Sequence, residues 1–441
     1  MSSDNEFCDR LSRRTLLQAG LAGTIGLSVP EILRLQAANS RKAGTAVPDT
    51  AVIYVEMAGG PTQHETYDPK PDAATEYRGP LEPIATNVSG VVFSQLMTGQ
   101  AAIMDKLAVI RSIHHDSGSH GTSSHLTQTG YYLRDRQNRD NDMPCIGSLT
   151  AKVRGANSPG MPPFVSLPNS MRFGRAGWLG KGYNPFNSGK DAHVKNFSVP
   201  NLSLLKGLTA TRLRDRRSLL TGFDAARRTI DNHGVSEAID QFTEDAFEMV
   251  TGEGARRAFD IGRESAATRA RYGNHAMGQN MLLARRLVEN GVTFISVRAN
   301  SLGSWDDHNG VEKRMRAKGP SFDQGVAALV DDLHDRGLAA RTLVVCMGEF
   351  GRTPRINGNA GRDHWGRVMS VVLAGGNLRT GQVVGSSDAN GAVPKDRPYR
   401  PENVLAMIYR HLGIDPSLKF PDHNGRPRYL LEERRLINEL V

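Results

Sequence analysis

TLVVCMGEFGRTPRINGNAGRDHW, residues 342–365, decides how the rest of the chain is read. Its opening run to Met347 is short, apolar and β-branched, the composition of a strand buried on both faces. Polar chemistry starts at once, with Gly348, Glu349, Phe350, Gly351 and Arg352. A loop rich in Gly, Asn and Arg then closes on Asp363 and His364, beside Trp365. An acid just past the C-terminal end of a buried strand lies where open α/β sheets hold their ligands. A second carboxylate and an imidazole returning to the same place are the donors a loop-built metal site needs. A solvated turn between two strands explains any one of these residues. The clustering of carboxylate, guanidinium and imidazole after one strand makes a functional site an equal contender.

Working outward, the same pattern of strand, polar loop and helix recurs. Residues 50–57 (TAVIYVEM) read as the first core strand, broken by Gly59, Gly60 and Pro61 into a loop carrying Glu65 and Asp68. Residues 107–113 (LAVIRSI) read as a second strand. It runs into a tract, residues 114–125, that holds four of the chain's 13 histidines. Ser119 and Thr122 in that tract precede a helix expected to start near Leu126, as caps or as nucleophiles at its positive end. A strand at 292–298 leads to Trp305, Asp306, Asp307 and His308, and a last core strand is expected at 369–373. Residues 164–167 form a further short strand, and residues 176–201, without a steady period, read as a surface excursion over the site. Helices are expected near 146–153, 213–232, 235–251, 277–290, 321–336 and 401–412. Together these elements predict an α/β protein with a mainly parallel sheet and helices on both faces.

The first 40 residues stand apart. Ser12-Arg13-Arg14-Thr15-Leu16-Leu17 is a twin-arginine signature, followed by a mild apolar run and a small-residue cleavage region ending at Ala38. This reads as a Tat export signal, and implies a periplasmic or extracellular mature chain. The apolar run is too short for a durable membrane anchor. Residues 45–441 then form the folded α/β domain. The chain has 441 residues and a formal charge of +9 spread over many arginines, which favours anionic partners only weakly. No basic motif interleaved with aromatics points to nucleic acid. Cys145 and Cys346 read as small core residues rather than as a disulfide or thiolate site.

The residues falling at strand ends are Glu65, the histidine tract, Asp306 with His308, Glu349, and Asp363 with His364. Carboxylates with imidazoles and no thiolates suit one or two divalent ions, Zn²⁺, Mn²⁺ or Ca²⁺. Such a site clamps the oxygens of a phosphoryl or sulfuryl transfer. Arg352 is placed to neutralise an oxyanion beside it.

The ordered motifs GGPTQHETYDPKPD, SHGTSSHLTQTG, LLARRLVENGVTFISV, WDDH, GEFGRTPRIN and GRDHW, behind a Tat leader, resemble the DUF1501 family of exported proteins. That family is similar to the alkaline phosphatase/sulfatase superfamily. The resemblance implies an alkaline phosphatase-like core with metal at the C-terminal edge of its sheet. It further implies metal roles for Glu65, Asp306, His308, Glu349 and His364. The superfamily's nucleophile position falls on His120, with Ser119 and Thr122 as adjacent alternatives. No Cys-x-Pro-Ser-Arg motif is present, and Glu349-Phe350 stands where a late Asp-His pair is familiar. The expectation is an exported metal-dependent hydrolase of phosphate or sulfate esters, sulfated or acidic glycans among them. In it Ser119, Thr122 or a water attacks and His120 acts as general base. The alternative is a non-catalytic protein that binds an anion or acidic glycan on the same fold.

Overall fold

Six consecutive buried residues, Ala51–Glu56, form the central strand β1 of a computed structural model that describes residues 49–199, 202, 248–249, 252–300, 303–422 and 424–441. Seven further strands join it in one sheet: β2 Leu107–Ile113, β3 Phe164–Leu167, β4 Phe186–Asn187, β5 Phe294–Arg298, β6 Thr342–Met347, β7 Met369–Gly375 and β8 Gln382–Val384. Their order is β8-β2-β7-β6-β1-β5-β3-β4. β1 pairs in parallel with β5 on one side and β6 on the other, with Glu56 level with Arg298 and Met347. β7 runs antiparallel to both of its neighbours. The remaining pairs are parallel, so the sheet is mainly parallel, as its apolar strands predict.

The alternation along β1 shows how the sheet is covered. Ile53 and Val55 join an apolar cluster with Met281, Leu282 and Leu283 of helix Ala276–Glu289 and with Phe322, Val326 and Leu329 of helix Val311–Asp335. Tyr54 points the other way, and its hydroxyl donates to the Thr127 carbonyl of helix His120–Thr129, 3.4 Å away. Helix Pro401–Leu412 packs on this second face, its His411 bonded to the Ala51 carbonyl at 3.1 Å. The described fold belongs to one compact unit, Pro48–Leu205 with Asp245–Val441. Cys145 and Cys346 are buried free thiols. No described helix is long and apolar enough to cross a membrane.

Three local expectations are corrected. The helix after β2 starts at His120, not near Leu126, so the histidine tract is partly its first turn. The helix read as starting at Ser321 begins at Val311 and carries Pro320 inside it. Residues 176–199 are not simply an excursion over the site, because Phe186–Asn187 adds the edge strand β4 to the sheet. The twin-arginine segment and the helices expected at 213–232 and 235–251 fall on residues almost wholly outside those described.

A candidate metal centre at the C-terminal edge of the sheet

The loop after β6 is a hairpin. Its short strands Gly351–Arg352 and His364–Trp365 pair antiparallel, with His364 level with Arg352 and Trp365 level with Gly351. The hairpin carries His364 back over the end of β6, beside Glu349. Asp306 and His308 arrive from the loop after β5, and His120 is the first residue of the helix after β2. Side chains from three strand ends therefore meet above the carboxyl edge of the sheet, where its geometry favours ligand binding.

Each ring faces an acceptor at Nδ1 and the Asp306 carboxylate at Nε2, and the tautomer that suits a bound cation carries its N–H on Nδ1. His120 Nδ1 donates to Glu349 Oε1 at 2.8 Å, His308 Nδ1 to Asp363 Oδ1 at 2.8 Å, and His364 Nδ1 to the Gly118 carbonyl at 2.9 Å. In that tautomer each Nε2 turns a lone pair inward. Those three atoms converge on one carboxylate: His120 Nε2 lies 3.2 Å from Asp306 Oδ2, and His308 and His364 Nε2 each lie 3.1 Å from Asp306 Oδ1. His308 Nε2 and His364 Nε2 are 2.9 Å apart. Lone pairs crowded this way repel one another unless a proton or a cation sits among them. Donor atoms of His120, Asp306 and His364 all lie within 4.8 Å of one another. Outer hydrogen bonds that fix ring orientation while inner nitrogens converge are the arrangement a metal-ligating histidine set requires. The residues present therefore fit a divalent cation.

A second layer holds this set rigid. Glu349 is buried, and both of its oxygens accept from the Gly59 N–H, at 2.9 and 3.0 Å. Gly59 has φ +114°, and a β-carbon there would stand 2.5 Å from the Asp306 backbone nitrogen, so only glycine fits between these loops. His115 donates Nε2–H to the Glu349 carbonyl at 2.7 Å and accepts from the Ser117 N–H at 3.1 Å. Burial pushes its imidazole down to about 4, so it stays neutral. Phe350, fully buried, lies beneath the rings of His120 and His364 at 5.1 and 4.6 Å between centroids.

Charge is balanced unevenly. Burial pushes the Asp306 carboxyl up, but the hydrogen bond and charge of Arg352, with His364 and His120 behind it, hold it well below the usual carboxylate range. The hydrogen bond to Glu349 raises His120. Burial lowers His364, with the neighbouring His120 adding to the effect. Asp363 is lowered by its hydrogen bond to His308.

The structure brings together Asp306, His308, Glu349, Asp363 and His364, and adds His120 as a direct neighbour of Asp306. Glu349 and Asp363 reach the cluster as hydrogen-bond partners of imidazoles. Glu65 is placed elsewhere. It is fully buried, Arg362 donates to it from Nη2 at 2.7 Å and from Nε at 2.9 Å, and Thr62 donates to Oε2. Its oxygens are committed to that pair rather than turned to the imidazoles. Arg352 also has a different post from the one expected. It is fully buried and donates to the carbonyls of Gly59, Gly60 and Arg362 and to Asp306, so it ties three loops together and is not open to a substrate. Asp307 faces away from the cluster into a buried ion pair with Lys318 at 2.7 Å.

Ser119 takes the N-cap position of the helix, without a side-chain capping bond. Thr122, one turn in, is buried, and its hydroxyl oxygen has no hydrogen-bond partner. The remaining histidines of the tract are structural where their bonds are defined. His125, for example, accepts from the Asp142 and Met143 N–H groups at 3.2 Å and bonds the Tyr131 carbonyl at 2.7 Å.

No curated protein matches the chain in sequence. Among solved structures, an alkaline phosphatase from the Antarctic bacterium TAB5 is similar at 10% identity and a TM-score of 0.35, over 83% of this chain and 99% of that one. The PsFucS1 sulfatase from Pseudoalteromonas sp. is similar at 10% identity and 0.33, over 87% and 72%. Ps i-CgsB in complex with k-i-k-neocarrahexaose is similar at 11% and 0.38, over 83% and 72%. The family model of DUF1501, described as a protein of unknown function, matches residues 49–441, and the chain belongs to that family.

Proposed function

We propose that the protein is an exported metal-dependent hydrolase of phosphate or sulfate esters. The observation that carries this reading is the convergence of the His120, His308 and His364 Nε2 atoms on Asp306, each ring fixed from behind by an acceptor at Nδ1. These four residues would hold the ion, with Glu349, Asp363 and the Gly118 carbonyl orienting the rings. A cation bound there supplies Lewis-acid charge to the ester oxygens. Arg352 keeps Asp306 ionised and correctly aimed. Ser119 and Thr122 flank His120 at the start of its helix, and the unpartnered Thr122 oxygen supports a nucleophilic role for Thr122. His120 has both nitrogens engaged, so this arrangement supports an ion-holding role for it over that of a free general base.

The test is hydrolysis of aryl phosphate and aryl sulfate esters by the purified mature chain, before and after chelation. Turnover of either class that chelation abolishes and Zn²⁺ or Mn²⁺ restores is the expected result. Metal-replete protein that cleaves neither class, or turnover indifferent to chelation, contradicts the proposal.

A further inference from the structure

Two of the three converging imidazoles are braced on firm parts of the fold, His120 on the buried Glu349 and His364 on the Gly118 carbonyl. His308 is braced on Asp363, and here both partners face water, with side chains 42% and 54% exposed. A contact between two exposed side chains contributes little by itself and does not keep a ring in one place. Yet His308 Nε2 stands 3.1 Å from Asp306 Oδ1, as close as its better-supported neighbour His364.

The tip of the hairpin after β6 supplies the missing support through one amide. Asn357 Nδ2 donates to the His308 backbone carbonyl at 3.1 Å and to Asp363 Oδ1 at 3.2 Å, the oxygen that also accepts from His308 Nδ1. Asn357 Oδ1 accepts from the Asn359 and Gly361 N–H groups, each at 3.0 Å. Two acceptors on one side and two donors on the other leave a single orientation for the amide. Its oxygen thus folds the turn 357–361, and its nitrogen reaches across to His308 and its brace. The turn is itself seated on the backbone that follows His308. The Gly310 N–H donates to the Asn359 carbonyl at 3.0 Å and the Val311 N–H to the Ala360 carbonyl at 2.8 Å. A β-carbon on Gly361 would overlap the His308 carbonyl group, so the two loops touch there.

We infer that Asn357 is a positioning residue that holds His308 Nε2 in the converging donor set, by tying the His308 main chain and the Asp363 carboxylate to one turn. The inference rests on the reading of the centre given above and concerns its most exposed imidazole. Without the Asn357 N–H groups, Asp363 and the ring it braces are free to swing into solvent, and a bound cation loses a ligand. Outer hydrogen-bond partners of metal-ligating histidines are worth roughly 10- to 100-fold in affinity.

The experiment titrates the purified, metal-stripped mature chain with Zn²⁺ against a chromophoric chelator. Wild type, Asn357→Asp, His308→Ala and the double variant are compared, each with its circular dichroism spectrum. Metal-free crystal structures are determined for wild type and Asn357→Asp. Aspartate keeps the oxygen that folds the turn and removes the N–H groups that face His308 and Asp363. Its added negative charge would by itself draw a cation closer, so a loss of affinity is not a charge effect. The expected result is Zn²⁺ affinity lowered about tenfold or more by Asn357→Asp, at an unchanged spectrum, with no further lowering once His308 is alanine. Wild-type affinity in Asn357→Asp overturns the inference and leaves the cation site standing. So does an equal loss with and without His308, the mark of a merely structural role. Where His308→Ala binds Zn²⁺ too weakly to measure, the crystal structures decide, and a His308 ring in its wild-type place in Asn357→Asp overturns the inference. If the wild type binds no Zn²⁺ yet the ring is displaced in Asn357→Asp, the inference stands and the metal reading falls. Should the aspartate variant not fold, Asn357→Ala is judged by the same outcomes.

Discussion

Asp306 carries more of the site than any other side chain. Its two oxygens serve three imidazoles and one guanidinium, while its neighbour Asp307 turns inward to Lys318. Adjacent acids therefore have opposite duties, and their alanine variants separate them. His308→Ala should remove an ion ligand and abolish ester hydrolysis with little change in melting temperature, because the His308 side chain is 42% exposed. Asp307→Ala should leave the ligands intact but strand a lysine that is 2% exposed, at a cost on the order of 3–5 kcal/mol. Metal content and melting curves on both variants check this; a stable Asp307→Ala protein that has lost its metal would reverse the two assignments. The ligand types were legible in sequence because each follows an apolar strand. Glu65 and Arg352 were not, since sequence cannot say whether a charged residue at a strand end faces a ligand or a buried counter-charge. The partner of Glu65 is Arg362, which lies 297 positions away along the chain.

The elements beneath the site make two predictions of their own. Arg285, fully buried in helix Ala276–Glu289, pairs with Glu264 at 2.8 Å, Glu289 at 2.7 Å and, across to helix Val311–Asp335, Asp332 at 2.8 Å. Arg285→Ala removes the buried cation these carboxylates share but leaves Glu264 with Arg286 and Glu289 and Asp332 with Arg336, so it should cost on the order of 1–3 kcal/mol in denaturant unfolding without touching metal content. A loss under about 1 kcal/mol would mean that water reaches the pair and screens it. Glu56, at the end of β1, is raised to about 7 by burial, with the charge of Glu349 adding and Arg298 and Gln128 opposing. A carboxyl that holds its proton more tightly folded than unfolded leaves stability undiminished below the unfolded value of 4.5. Stability then falls as pH rises toward 7 and levels off above it. Glu56→Gln should remove that fall, so its stability relative to wild type should rise between pH 4.5 and 7. A difference flat in pH would contradict the assignment. Strand bounds were legible because apolar runs of parallel strands end sharply. The antiparallel sense of β7 was not, because both of its faces are buried whichever way it runs. The long helix was read ten residues short because Gly319-Pro320 resembles a break, although the helix continues through it. The helix at His120 was read late because its first turns are polar and yet buried, which leaves no apolar period to detect.

At the scale of the whole molecule, family membership, a mainly parallel sheet and an imidazole cluster at its carboxyl edge are in hand. Two claims remain to be measured. We propose export on the twin-arginine motif: replacing Arg13 and Arg14 with lysine should hold the precursor in the cytoplasm, and unchanged export would refute the twin-arginine reading. The central claim is that the converging nitrogens exist to hold a cation. The most direct measurement is elemental analysis of the mature chain after equilibration with Zn²⁺, Mn²⁺ and Ca²⁺ and removal of free ions, set beside Asp306→Asn. The account predicts at least about one ion per wild-type chain, from the convergent donor set found among the described residues, and a clear loss in the folded variant. A folded wild-type chain that retains none of the three ions, or an Asp306→Asn chain that retains as much as wild type, would contradict it.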